Sequence, residues 1–347
     1  MESPSIEINL LIFLGSLAMS SSLVPLMRLL AFRYSILDIP NQVHKTHAQT
    51  TPYLGGLVIV IPITFLALTG PFIIFGNLEY LIRTLTILLP ALLLSLVGLY
   101  DDMKNISANF RLLVQSLLAI LITIYLMHLG FIIRIFENNV ANFLLSIFWL
   151  VGITNAFNFF DNLDGGVAGI TFIASSSLFL LSSWTSQYLI SSFCLALAGS
   201  ALGFLFWNKN PARIYLGDSG SLFIGFLLAI SLLQFQSSVE SQFASALIPV
   251  FVLAIPIIDT TVAVVSRMIR RVSIFQGGRD HLSHRLISKG LTRKASAYVL
   301  WGASCLFSSV SLTLYFVPNQ IAVLISALTL ICLGLIVVWF LSIEVHV

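Results

Sequence analysis

The chain has 347 residues, of which 58% are hydrophobic and only 9% charged. That is too apolar for a soluble domain, and a net charge of +3 makes no case for a nucleic-acid partner. Cys194, Cys305 and Cys332 fall in apolar runs without CxxC spacing, which argues against a disulfide framework and a thiolate metal site.

Apolar runs long enough to cross about 30 Å of hydrocarbon, roughly 17–25 residues each, recur from end to end. They lie near 9–31, 54–75, 83–100, 112–130, 141–158, 166–184, 187–206, 220–236, 244–266, 297–316 and 321–341. The expected fold is therefore all-α, a polytopic membrane protein of about eleven transmembrane helices in one domain, 1–347, with no internal repeat. The first run is too long for a cleavable signal and no basic segment precedes it. Glu2 and Glu7 before it favour an external N-terminus, which puts five loops and the C-terminus inside. Of the 17 Lys and Arg residues, only Arg83 and Arg134 then fall outside. This positive-inside bias makes the inner loops cytoplasmic. Every aspartate falls on that same side, whereas all glutamates but one fall on the other. Solvation has no need to sort Asp from Glu, but a site for a hard cation and phosphates does want short carboxylates gathered together.

The first inner loop, DIPNQVHKTHAQTTPYLGG (38–56), offers His44, Lys45 and His47, with Gly55 and Gly56 opening the next helix. Lys45 is a point charge suited to phosphate, and glycines at a helix start admit close ligand approach. An ordinary polar loop with a basic anchor explains the segment equally well. The second, GLYDDMKNISANFR (98–111), ends an apolar helix with Asp101 and Asp102. That pole of the helix is already negative, so the pair calls for a compensating cation, either a metal ion or Lys104 and Arg111. The third, NAFNFFDNLDGGVAG (155–169), repeats Asn155, Asn158, Asp161 and Asp164 at every third position, a slowly winding polar stripe closed by Gly165 and Gly166. A polar helix end capped by glycine accounts for the glycines but not for the stripe. In the fourth, ARIYLGDSGSLFIGF (212–226), Asp218 stands between glycines before an outward helix. Either Asp218 or Ser219 is a plain N-cap, or the corner holds phosphate or metal. The fifth, QGGRDHLSHRLISKG (276–290), clusters Asp280, His281, His284 and Arg285. Zinc is disfavoured for want of a third soft ligand; donors to a phosphate or sugar suit the cluster better. Asp259, in PIIDTT inside the ninth span, reads either as a buried hydrogen-bonder or as part of the site.

Taken together, K-x-H…P-x-x-G-G, DD, N-x-x-N-x-x-D-x-x-D-G, G-D-S-G-S and D-H-x-x-H-R resemble the polyprenyl-phosphate N-acetylhexosamine-1-phosphate transferases over essentially the whole chain. The resemblance implies transfer of a sugar 1-phosphate, most readily GlcNAc 1-phosphate, from a UDP-N-acetylhexosamine to undecaprenyl phosphate. UMP is released, with Mg²⁺ or Mn²⁺, at the cytoplasmic face of a bacterial inner membrane as a cell-envelope glycan begins. It implies catalytic roles for Asp101, Asp102, Asp161 and Asp164, and metal binding by Asp218 with Asp161. It also implies substrate contacts from Lys45, Asn158, His281, His284 and Arg285, and a homodimer as a common state. Ser283, Asn162, Gly166 and Tyr53 depart from the commoner His, Gly, Leu and Arg, and none of these departures removes a carboxylate. The related phospho-MurNAc-pentapeptide transferases are expected to carry a triple-histidine loop where this chain has DHLSHR. A secondary transporter is the rival from another class. It should show ionisable groups at mid-membrane and two similar halves, whereas only Asp259 is deep and no halves repeat.

Overall fold

The computed structural model describes residues 4–38, 51–70, 78–274 and 278–343. Each of the predicted apolar segments is helical there: α1 (Ile6–Arg33), α2 (Gly55–Gly70), α3 (Leu78–Lys104), α4 (Ala108–His128), α5 (Asn139–Phe160), α6 (Gly166–Trp184), α7 (Tyr188–Asn208), α8 (Gly217–Gln234), α9 (Gln242–Val252) with α10 (Ala254–Ile269) and, beyond a short α11 (Leu282–Ser288), α12 (Arg293–Leu314) and α13 (Asn319–Leu341). Among the described residues, 9 helices are long and apolar enough to cross a membrane, and the bent pair α9–α10 makes up to 10. Helix α2, with 16 described residues, is shorter. With α2, whose expected run 54–75 passes beyond the described residues, these account for the eleven expected segments. The chain is a multi-pass membrane protein.

Helix starts follow local chemistry. Ser5, Ser107, Asn138, Ser241 and Thr292 each cap a helix by accepting from a backbone N–H two or three residues on. The break between α9 and α10 also has a local cause. Pro256 has no N–H to return to the Val252 carbonyl, and the helix bends by 77° at Leu253.

Helix α8 is the centre of the bundle, with 83% of its apolar window buried against 17% for α13, which faces lipid. Helices α2, α3 and α5 pack around it. The α3–α8 and α2–α8 seams are set by glycine. A Cβ on Gly98 would lie 2.6 Å from the Ser219 amide nitrogen, and one on Gly56 would lie 2.7 Å from the Gly220 Cα. Gly56 thus admits the protein's own backbone, where a ligand was expected. One pairing was not expected from sequence: β1 (Leu37–Asp38) runs antiparallel to β2 (Thr51–Pro52), with Leu37 opposite Pro52 and Asp38 opposite Thr51. The strand carries on into the Tyr215 backbone, whose N–H donates to the Pro52 carbonyl at 2.8 Å and whose carbonyl accepts from Gly55 at 3.0 Å.

Candidate active site

Helix α3 ends and helix α8 begins at the same place, and the two poles meet through side chains. Asp102 accepts from the backbone N–H of Asp218 at 2.8 Å and of Ser219 at 3.1 Å, so it caps α8 from outside that helix. Asp101, 8% exposed, accepts from the Ile106 N–H at 2.7 Å and pairs with the Arg111 guanidinium. The same Arg111 nitrogen pairs with Asp218, which also accepts from the Asn158 amide at 2.8 Å. The cation that the Asp pair called for is therefore Arg111, aided by the positive end of α8. Lys104 has no carboxylate partner among the described residues. Neither Asp218 nor Ser219 is the N-cap; that position belongs to Leu216, and the capping carboxylate is Asp102. Asp218 remains 26% exposed and reachable from outside.

The Asn/Asp stripe divides by partner. Asn155 donates to Gln115 of α4 at 2.6 Å and ties two helices together. Asn158 aligns Asp218. Asp164 accepts from Asn210 at 2.8 Å and from the Ala212 N–H at 3.1 Å, while the Gly165 N–H donates to Asn208 at 3.0 Å, so this turn grips the segment before α8. Gly165 is left-handed (φ 72°) as it starts α6. Burial, with the Asp218 and Asp164 charges beside it, pushes the Asp161 carboxyl up to about 8, against a stabilising bond from the Gly217 amide. A cation nearby would restore its charge.

Asp161, Asn162 and Asp164 share a polar cavity of about 130 Å³ with Asp38, Asn208 and two tyrosines, Tyr53 and Tyr215. The two rings lie 6.0 Å apart, tilted by 53°. Burial, then the nearby Asp38, pushes the Tyr53 phenol above its ordinary range, and burial pushes Tyr215 to about 12. Both stay protonated donors. Tyr53, Tyr215 and Asn208 were not singled out as site residues from sequence, because only folding brings β2 beside the segment before α8.

The last loop differs most from expectation. Lys45 lies outside the described residues, as do His44 and His47. Arg285, expected at the substrate, is engaged within the protein. It is 3% exposed and donates to the carbonyls of Asp280, Phe340 and Ile343 and to the Ser266 hydroxyl. The Phe340 and Ile343 carbonyls lie at the C-terminal pole of α13, which draws a guanidinium. Asp280 is held by Arg267 at 3.0 Å and by Arg270, which together outweigh its burial and keep its carboxyl below the ordinary range. His284 is depressed to about 4, by burial first and then by His281, and its Nδ1 has no partner among the described residues. It is neutral at pH 7. His281 is buried against Asp259, Nδ1 to Oδ2 at 2.7 Å, and the second Asp259 oxygen accepts from the Leu282 N–H at 2.7 Å. Ser283 donates to Asn162, joining the start of α11 to the aspartate turn.

Among the described residues no three His, Cys, Asp or Glu side chains form a protein-only metal cage. What converges is one partly exposed carboxylate, Asp218, with Asp161 and the buried Asp101 around it and a guanidinium already in the cation's place. Magnesium is commonly held by one or two carboxylates, water and substrate phosphates, so this donor set fits a shared ion.

Residues 84–236 match the model of glycosyl transferase family 4. The chain is 32% identical over 308 residues to a probable undecaprenyl-phosphate N-acetylglucosaminyl 1-phosphate transferase of Bacillus subtilis (strain 168), covering 87% of this chain and 84% of that one. It is 26% identical over 323 residues to the undecaprenyl-phosphate alpha-N-acetylglucosaminyl 1-phosphate transferase of Salmonella typhi, covering 89% and 85%. A phospho-N-acetylmuramoyl-pentapeptide-transferase of Bacillus cytotoxicus is 32% identical over 234 residues, covering 62% and 71%. With these relatives spanning its membrane helices and the carboxylate centre between α3 and α8, the chain belongs to the polyprenyl-phosphate N-acetylhexosamine-1-phosphate transferases.

Proposed function

We propose that this protein transfers GlcNAc 1-phosphate from UDP-GlcNAc to undecaprenyl phosphate and releases UMP, at the cytoplasmic face of a bacterial membrane. The observation that carries this reading is the convergence of Asp101, Asp218 and Arg111 beside the tyrosine-lined cavity, in a chain whose relatives named for this activity match it almost end to end.

The acceptor phosphate, with a second pKa near ~6, is already mostly a dianion at neutral pH, so a strong general base is unnecessary. The harder problem is bringing that anion onto a diphosphate. Tyr53 and Tyr215 offer ring faces and phenol donors for the nucleoside, which leaves the diphosphate toward Asp161 and Asp218. Asp218, with Asp161, is the residue to hold Mg²⁺, which when bound would screen the diphosphate charge. Asn158 keeps one Asp218 oxygen oriented. Arg111, released from its carboxylates, becomes free to hold a phosphate oxygen in line.

Purified protein incubated with undecaprenyl phosphate, Mg²⁺ and a panel of UDP-sugars should release UMP with UDP-GlcNAc. Release only with UDP-MurNAc-pentapeptide would favour the second reading, which rests on the Bacillus cytotoxicus relative. No release from any donor would reject both.

A further inference from the structure

Asp259 is not needed by the reading above, yet among the described residues it is the most completely enclosed carboxylate, at 0% exposure. It stands on α10, a little after the bend at Leu253, and both of its oxygens are engaged by the first residues of α11. One accepts from the Leu282 N–H at 2.7 Å, and the other lies 2.7 Å from His281 Nδ1. A carboxylate only accepts, so Nδ1 is the nitrogen that carries a proton in both charge states of the ring. Nε2 has no protein partner among the described residues.

The ring is also held against the site. Phe159, between Asn158 and the aspartate turn, meets it edge-on with centroids 6.5 Å apart, and His284 lies 6.0 Å away on the other side. Two residues on, Ser283 is joined to Asn162, which lines the polar cavity. The helix start that carries His281 is thus fixed from α10 by Asp259 and from the α5–α6 turn by Asn162.

We infer that Asp259 is a positioning residue for His281: it accepts from Nδ1–H and so supports the imidazolium, whose Nε2–H is the single ring donor offered to the phosphate oxygens of the sugar-nucleotide donor. This rests on the proposed transferase reading. Asp259 touches no substrate and acts only through the ring.

The test compares D259N, H281Q and the double variant D259N/H281Q in the intact membrane enzyme, with kcat and KM for UDP-GlcNAc followed across the pH range in which imidazole titrates. An Asn, whose oxygen stays on the Leu282 N–H, presents an N–H to Nδ1, so the ring can no longer be held as an imidazolium. D259N and H281Q should each lower kcat/KM by about 10²-fold, and the double variant should lose no more than H281Q alone. D259N should also lose the histidine limb of the pH profile, and D259E, which keeps an acceptor, should recover part of the rate. Losses that multiply in the double variant, or a D259N profile that overlays the unmodified enzyme, would overturn the inference with the transferase reading intact. If D259N does not fold, the comparison of D259E with H281Q decides: a normal rate and pH profile in H281Q overturns it. Absence of UMP release by the unmodified enzyme overturns the reading and the inference together, and shows itself before any variant is made.

Discussion

The amide of Asp218 donates to the carboxylate of Asp102 across 2.8 Å, from the first turn of one helix to the last turn of another. Asp102 therefore belongs to the apparatus that places Asp218, and the negative end of α3 and the positive end of α8 neutralise each other through it. Asp102→Ala should cost about 1–2 kcal/mol of stability, as a lost helix cap does, together with most of the turnover. Asp102→Asn keeps one acceptor and should melt between the two. Thermal melts in detergent beside UMP release would check this; a D102A protein as stable as the original would remove the capping role.

Asp218→Asn is a different kind of change. It keeps the shape of the side chain and leaves α8 capped by Asp102, so the protein should stay folded with an unchanged melt. Turnover should fall by about 10²–10³-fold or more, the scale for losing one electrostatic group at a reacting phosphate. Mn²⁺ binding followed by electron paramagnetic resonance should weaken in parallel. Near-normal activity of D218N in added Mg²⁺ would sink the metal assignment.

The glycine seam makes a prediction about packing alone. Gly98→Ala drives a methyl into the backbone of Asp218 and Ser219, and should destabilise by about 1–3 kcal/mol. Gly152→Ala and Gly302→Ala meet nothing within 4 Å and sit in helices, so each should be neutral or stabilising by up to about 1 kcal/mol. Melting temperatures of the three variants, measured side by side, give the answer.

His284 gives a pH dependence with a definite sign. Burial lowers its folded pKa to about 4 from an ordinary 6.5, so between those values the unfolded chain binds the extra proton. Its contribution to stability is whole above pH 6.5, falls as the pH drops below that value, and levels off near 4. His284→Gln should flatten that part of the stability profile. An unchanged acid slope in H284Q would place the effect on other groups.

Arg285→Lys separates two roles. A lysine cannot reach the carbonyls of Asp280, Phe340 and Ile343 at once, so the variant should lose about 1–3 kcal/mol and melt earlier. KM for the sugar nucleotide should be unchanged in the protein that remains folded. A large rise in KM at constant stability would return Arg285 to the substrate.

The membrane organisation was readable because hydrocarbon imposes a length on every crossing, and each apolar run of the sequence became helix. The grouping of Asp101, Asp161 and Asp218 was likewise foreshadowed by their shared side. What could not be read is what each charge faces. Asp102 and Asp259 look alike in sequence to Asp218, yet their partners are the starts of helices more than a hundred and about twenty residues away. Arg285 sits in a motif that suggests phosphate, but its partners lie at the far end of the chain. The Tyr53–Tyr215 pair escaped notice because backbone pairing between β2 and the segment before α8 decides it, and no side-chain pattern records that pairing. The bend at Leu253 needed only Pro256 to be taken at its word.

Arg285 also makes the last loop depend on the last helix. Every aspartate of the candidate site precedes α12 in the chain, but the carbonyls that seat Arg285 come with Phe340 and Ile343. A chain cut short before α13 would hold all the acidic groups and still lack the anchor of the loop that presents His281. The seat of Arg285 is therefore complete only with α13 in place.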